Sequence, residues 1–211
     1  MNRNRDYGMG RIALNALWPG HRLDPSIIPP PSAELNMSSG DLVLKWVWPN
    51  PEDLRNSDLY SNRDSKEVKE FTFETLPGDM LFVTYFFRFN HHTGRFEEAG
   101  RVEWYPNSER HGTVYFGERQ VNTESLSRRK KATSRSRRFK SNKGNEYKWK
   151  KGSDVGLHEL DFVCVDSWRR VVGKWIHASQ TLTMTSGGFA IFDELVVTLF
   201  LQIWRREKGY W

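Results

Sequence analysis

The chain has 211 residues, with 37% hydrophobic and 14% aromatic side chains and a single cysteine, Cys164. That length suits one sizeable core; the lone cysteine excludes an intramolecular disulfide, and no run reaches the roughly 20 apolar residues of a transmembrane helix. The net charge of +6 is unevenly spread: residues 128–151 hold twelve Lys/Arg against one acid, Glu146, and carry +11, while the remainder, with 20 bases and 25 acids, carries −5.

Residues 1–38 combine Pro25, the run Pro29-Pro30-Pro31 and scattered arginines with little periodicity, and they read as a disordered, proline-rich leader. The first twenty residues hold no apolar run that suits a signal peptide. Together with the single cysteine, this sets the expected location as cytoplasmic, with peripheral membrane and nuclear placements as variants.

From Asp41 the pattern becomes that of strands. Leu42 to Trp48 is apolar and β-prone, and Pro49-Asn50-Pro51 ends it. Asp58 to Asn62 is short and polar around Leu59 and Tyr60. Glu70 to Leu76 alternates, Pro77-Gly78-Asp79 signals a turn, and Met80 to Phe89 is a long aromatic strand. Asn90 to Gly94 turns the chain into Arg95–Glu98 and Gly100. Arg101 to Tyr105 and Thr113 to Phe116 follow, separated by a turn. After the basic segment come Glu146 to Lys150, Leu160 to Val165, Arg169 to Ile176 across a tight Asp166-Ser167 connection, and Thr181 to Thr185. Short strands with regular turn signals argue for an antiparallel sheet or barrel.

The last apolar segment, Phe189 to Trp204, follows the break Ser186-Gly187-Gly188. Its β-branched Val196, Val197 and Thr198 leave a buried strand open. Its length, the early acids Asp193 and Glu194, and the late bases Arg205, Arg206 and Lys208 before Gly209 favour a helix over about 189–206. Such a helix is apolar on every face, so it must be enclosed. Phe189, Leu195, Val196, Val197, Leu199, Phe200 and Ile203 are the expected core residues of this central helix.

An ordered set of features carries a family resemblance: Asn56-Ser57-Asp58-Leu59-Tyr60, then Gly100-Arg101-Val102-Glu103-Trp104, then Phe139 leading to Asn145-Glu146-Tyr147-Lys148-Trp149-Lys150, and finally Phe192-Asp193-Glu194-Leu195-Val196-Val197-Thr198. With these, the stretch from about Asn56 to Lys208 resembles a family of mushroom-forming fungi defined by a domain of unknown function. That family is similar in layout to the Tubby C-terminal-like group, with the phospholipid scramblases and LURP-type proteins. The resemblance implies a mainly β fold, an antiparallel barrel over residues 39–208 that encloses a hydrophobic C-terminal helix. Likeness of layout does not transfer function.

The basic segment, residues 126–144, is expected as a flexible loop within that domain. Arg128, Arg129, Lys130, Lys131, Arg135, Arg137, Arg138 and Lys140 make it a candidate site for anionic ligands, because each Lys/Arg near an acidic membrane contributes about 1 kcal/mol. Phe139 is the aromatic available to insert at such an interface. A solvated linker, an import signal read by a nuclear receptor, and a nucleic-acid contact are the competing readings of the same residues. Thr133, Ser134 and Ser136 lie among the bases, where phosphorylation would offset their charge.

Other chemistry has thin support. Cys164 with His158 hints at a nucleophile pair, but Cys164 sits in an apolar run that suits an inert thiol. His91 and His92 are adjacent and would point to opposite faces of a strand, which suits no metal. Glu97, Glu98, Glu103, Asp161, Asp193 and Glu194 are too scattered to single out an acid and base pair. Exposed tryptophans would allow glycan binding, although Trp46, Trp48, Trp104, Trp149 and Trp175 alternate as core residues do. The expectation is a non-enzymatic binding or scaffold protein without metal or cofactor, acting at acidic phospholipid. Nucleic-acid association and glycan binding are its alternatives.

Overall fold

The computed structural model describes residues 40–50, 53–63, 65–77, 82–105 and 111–210. The leader expected over residues 1–38 lies outside the described residues. Twelve strands form one sheet: β1 (Leu42–Val47), β2 (Ser57–Arg63), β3 (Lys66–Pro77), β4 (Phe82–Asn90), β5 (Arg95–Trp104), β6 (Gly112–Phe116), β7 (Arg119–Asn122), β8 (Arg137–Lys140), β9 (Glu146–Lys151), β10 (Phe162–Val165), β11 (Val171–Ile176) and β12 (Thr181–Met184). A short helix α1 (Ser186–Phe189) leads into α2 (Phe192–Glu207).

The strand order is β7-β6-β5-β4-β3-β2-β1-β12-β11-β10-β9-β8, with every pairing antiparallel. All neighbours but one are consecutive in the chain. The exception is β1, which pairs with β12 (Leu44 opposite Leu182) and so joins the first half of the sheet to the second. Three register shifts, at Leu59/Tyr60, Phe86/Phe87 and Cys164/Val165, introduce bulges that add twist and bend. Gly100 sits beside the second. Its φ is +155°, and a Cβ there would fall 1.9 Å from the Tyr115 carbonyl oxygen, so only glycine fits.

The bent sheet wraps α2. Phe73 of β3 stacks on Phe200 with ring centroids 4.6 Å apart, and Trp104 of β5 meets Phe200 and Trp204. On other sides the indole N–H of Trp149 in β9 donates to the Thr198 hydroxyl (3.0 Å), and Gly173 of β11 lies under Leu195. Leu195, Val196, Val197, Leu199, Phe200 and Ile203 are all fully buried, so the helix is enclosed as its all-round apolar surface requires. Its C-terminus also matches the sequence signal: Gly209 adopts a left-handed φ of 72° and its N–H donates to the Arg206 carbonyl.

Two expectations are corrected here. Phe189 is not in the central helix: it ends α1 and is 54% exposed. The cause is local. Gly188 is pressed against the Val172 carbonyl, where any Cβ would lie 2.0 Å away, and Ile191 (φ −131°) breaks the helical path before α2 begins. The closed barrel is also absent from the ladder. Among the described residues β7 and β8 are the two sheet edges, and no strand pairing joins them. After β7 the chain enters a 3-10 turn, Ser125–Ser127, and only Arg128 returns to bridge Arg138 of β8.

Candidate anion-binding cleft at the sheet seam

The segment expected as one loop over residues 126–144 is only partly loop. Arg128 exchanges two backbone hydrogen bonds with Arg138 (3.0 and 2.9 Å), and Arg137–Lys140 pairs with β9 as strand β8. The alternation in β8 then sorts its side chains. Arg137 and Phe139 turn inward and are 7% and 1% exposed, while Arg138 and Lys140 turn out. Phe139 stacks on Tyr147 in the core and cannot serve as an interfacial wedge. Arg128, Arg129, Lys130, Lys131 and Arg135 are exposed, as is Thr133. Ser134 and Ser136 are half-buried and their hydroxyls lie 3.2 Å apart.

Between β7 and β8 the seam opens into a cleft of about 300 Å³. Arg119, Arg128, Arg138 and Lys140 line it with one acid, Glu146, over an apolar floor of Val121, Leu126 and Phe139. Glu146 pairs with Arg138 and, at 3.6 Å, with Arg128. Arg119 reaches across the seam from β7: one guanidinium nitrogen donates to the Lys140 carbonyl (2.8 Å) and the other lies 3.4 Å from Glu194. Glu194 is buried in the first turn of α2 and also accepts the Asn142 N–H from the β8–β9 turn (2.9 Å). Arg119 was not among the residues singled out from sequence, because Arg119-Gln120-Val121-Asn122 shows no alternation and lies 21 positions before Lys140.

The cations continue onto the outer face of β9. Burial, and then the like charges of Lys150, Arg138 and Arg169, hold the Lys148 ammonium below its usual range. Lys151 is lowered in the same way, by burial and then by Arg135. Burial is the larger cause of both shifts, and the neighbouring like charges add to it.

The remaining candidates are accounted for locally. Cys164 is fully buried, burial pushes its thiol up, and His158 is an exposed loop residue whose ring accepts the Leu160 N–H. His91 bonds Glu70 (2.6 Å) while His92 is exposed. No group of three or more His, Cys, Asp or Glu side chains that could hold a metal occurs among the described residues. Glu97 accepts from Asn90 and Thr93, Glu103 pairs with Arg101, Asp161 accepts the His177 N–H and Asp193 pairs with Arg88. Trp46, Trp104, Trp149 and Trp175 are core residues and Trp48 packs partly buried against them, so the five tryptophans weighed for glycan binding serve the interior. No described helix is long and apolar enough to cross a membrane.

No curated protein and no solved structure matches the chain. A family of unknown function, DUF6593, matches residues 52–208, which takes in every element described above except β1. With that much of its length matched, the chain belongs to the DUF6593 family.

Proposed function

We propose that this protein is a non-enzymatic binding module that attaches to acidic phospholipid surfaces, phosphoinositide among them, through the cleft at the sheet seam and the basic loop beside it. One observation carries this reading: four cations from two sheet edges line one cleft that holds a single carboxylate. Phosphate groups are recognised by converging guanidinium and ammonium donors, and the apolar floor suits the glycerol end of a headgroup. The Tubby-like kinship expected from sequence belongs to the same reading, supported by a curled antiparallel sheet around an enclosed helix, and the fungal setting rests on the sequence resemblance alone.

The test is co-sedimentation with vesicles of phosphatidylcholine alone, with phosphatidylserine, or with phosphoinositide. Binding is expected only with the acidic lipids, and it should weaken as salt rises. The double variant Arg128→Ala, Lys140→Ala should bind about tenfold or more weakly, since each lost cation is worth about 1 kcal/mol near such a surface. Unchanged binding by that variant sinks the assignment to the cleft. Competition by free inositol phosphate separates headgroup recognition from attraction to bulk negative charge. A protein that ignores every vesicle but shifts an oligonucleotide favours the nucleic-acid alternative, for which the exposed Arg128-Arg129-Lys130-Lys131 run is the motivating feature.

Phosphorylation at Thr133, Ser134 and Ser136 is proposed to release the module. Each phosphate adds about −1.5 to −2 charges beside Arg129 and Arg135. The variant Thr133→Glu, Ser134→Glu, Ser136→Glu should sediment less with acidic vesicles than wild type. Equal sedimentation removes the switch.

A further inference from the structure

The basic segment supplies no exposed aromatic, because Phe139 is in the core. The most exposed large apolar side chain among the described residues lies elsewhere. Trp168, at the β10–β11 tip, is 75% exposed.

That tip is built rather than loose. The Asp166 N–H donates to the Arg170 carbonyl and the Arg169 N–H donates to the Asp166 carbonyl, both at 3.0 Å. The Asp166 carboxylate accepts from the Arg170 backbone N–H (2.9 Å) and from its guanidinium (2.7 Å). Arg169 holds a left-handed φ of 66°, a conformation that non-glycine residues adopt only at some cost. The Arg170 guanidinium lies 4.7 Å from the Trp168 ring centroid, so a cation covers one face of the indole. The fixed turn thus presents the indole to solvent beside two cations, Arg169 and Arg170, with one ring face packed on Arg170.

In the wall beneath the tip, the β8, β9, β10 and β11 registers place Arg138 and Lys148 beside Val165 in one row, and Lys150 and Lys174 on either side of Val163 in the next, with both valines buried between the partly exposed bases. Arg138 also lines the seam cleft, so wall and cleft are continuous. Charge complementarity points to a polyanionic partner. A single strand of nucleic acid would need aromatics spaced along the wall for successive bases to stack. The positions between the lysines are Val163 and Val165 instead, only 2% and 3% exposed beneath the bases, and the exposed aromatic of these four strands and their turns is Trp168, at the rim. One rim tryptophan beside a cationic wall is the pattern of a bilayer interface, where indoles sit at headgroup depth and bases meet acidic lipid.

We infer that the β10–β11 tip is a membrane anchor, with Trp168 entering the headgroup region of an acidic bilayer while the β8–β11 wall lies against its surface. This rests on the reading of the protein as an acidic-membrane module and adds a second contact to the seam.

The experiment uses the full chain with phosphatidylcholine/phosphatidylserine vesicles, with and without brominated acyl chains. Wild type should show quenching of tryptophan fluorescence by the brominated lipid, and Trp168→Phe should lose most of it. Trp168→Ala should bind about tenfold more weakly, the scale set by burying part of one aromatic side chain. It should unfold at the wild-type temperature, because its side chain is in solvent. The seam variant Arg128→Ala, Lys140→Ala should bind weakly, yet its bound fraction should still be quenched. Three results overturn the inference. Sedimentation without quenching and without loss in Trp168→Ala removes the anchor and leaves the seam reading standing. Failure to sediment with any acidic vesicle removes both. A Trp168 signal that answers to an oligonucleotide and not to vesicles assigns the wall to nucleic acid.

Discussion

Val197→Asp and Leu199→Asp chains are expected to accumulate only as unfolded or aggregated protein. Both positions are fully buried in α2. Each substitution removes an aliphatic side chain whose burial contributes about 1.5–3 kcal/mol, and it places a carboxylate where nothing can solvate it, a further cost of several kcal/mol. The sum rivals the about 5–15 kcal/mol that holds a domain of this kind together. The sheet cannot escape by shedding the helix, because Phe73, Trp104 and Trp149 from three separated strands all rest on it. Val197→Ala separates loss of the core from loss of the chain: it should remain folded and lose about 2 kcal/mol in a denaturant titration. Val197→Asp recovered folded, with a midpoint near wild type, would mean that α2 is not the centre of the fold.

The enclosed helix was legible because its residues allow no other place for it. Ten of the strands were legible for a related reason. Most carry inward apolar or aromatic residues at a period of two, as in Tyr147 and Trp149 of β9 or Phe71 and Phe73 of β3, while β10 is buried at every position and β2 has only Leu59 as an apolar inward residue. The two that escaped notice, β7 and β8, have one apolar residue in four, which gives alternation nothing to show. They are also the sheet edges, so the seam between them was invisible: its geometry depends on Arg119 meeting the Lys140 carbonyl, a contact that no local pattern encodes. Phe139 misled for the same reason. Set among bases it reads as a loop residue, and only the Arg138–Lys148 register turns it inward. Trp168 falls between the tight Asp166-Ser167 connection and the strand that reads from Arg169, so neither signal marks it. The chain instead spends Asp166 to Arg170 on a turn that carries the indole into solvent.

Glu194→Ala should loosen the seam more than any substitution in the cleft itself. This carboxylate holds three parts of the fold at one point. It belongs to the first turn of α2, it accepts the Asn142 N–H from the β8–β9 turn, and it faces Arg119 of β7. In the first helical turn it also meets the positive end of the helix dipole. Since the strand ladder stops on both sides of the seam, this carboxylate joins the Arg119–Lys140 carbonyl contact and the Arg128–Arg138 bridge in tying the edges together, beside the Ser127–Gln202 and Arg205–Thr123 bonds that reach the helix. Truncation leaves a backbone donor without its acceptor and a partly buried guanidinium without its counter-charge. The expected loss is about 2–4 kcal/mol, and at about 2–4 °C per kcal/mol for a domain of this size the unfolding temperature should fall by roughly 5–15 °C. Glu194→Gln keeps an oxygen for Asn142 and gives up only the charge, so it should recover about half of that loss. Hydrogen exchange supplies the local reading: the Arg128 and Arg138 amides should exchange faster in Glu194→Ala while those of β3 and β4 keep their protection at matched stability. An unfolding temperature equal to wild type would show that the edges are held by other contacts. A fall in stability with no change at Arg128 and Arg138 would confine Glu194 to a capping role and detach it from the cleft. If both effects appear, weaker vesicle binding by Glu194→Ala follows without any loss of positive charge, because Arg119 and Lys140 would no longer be held at the spacing that lines the cleft.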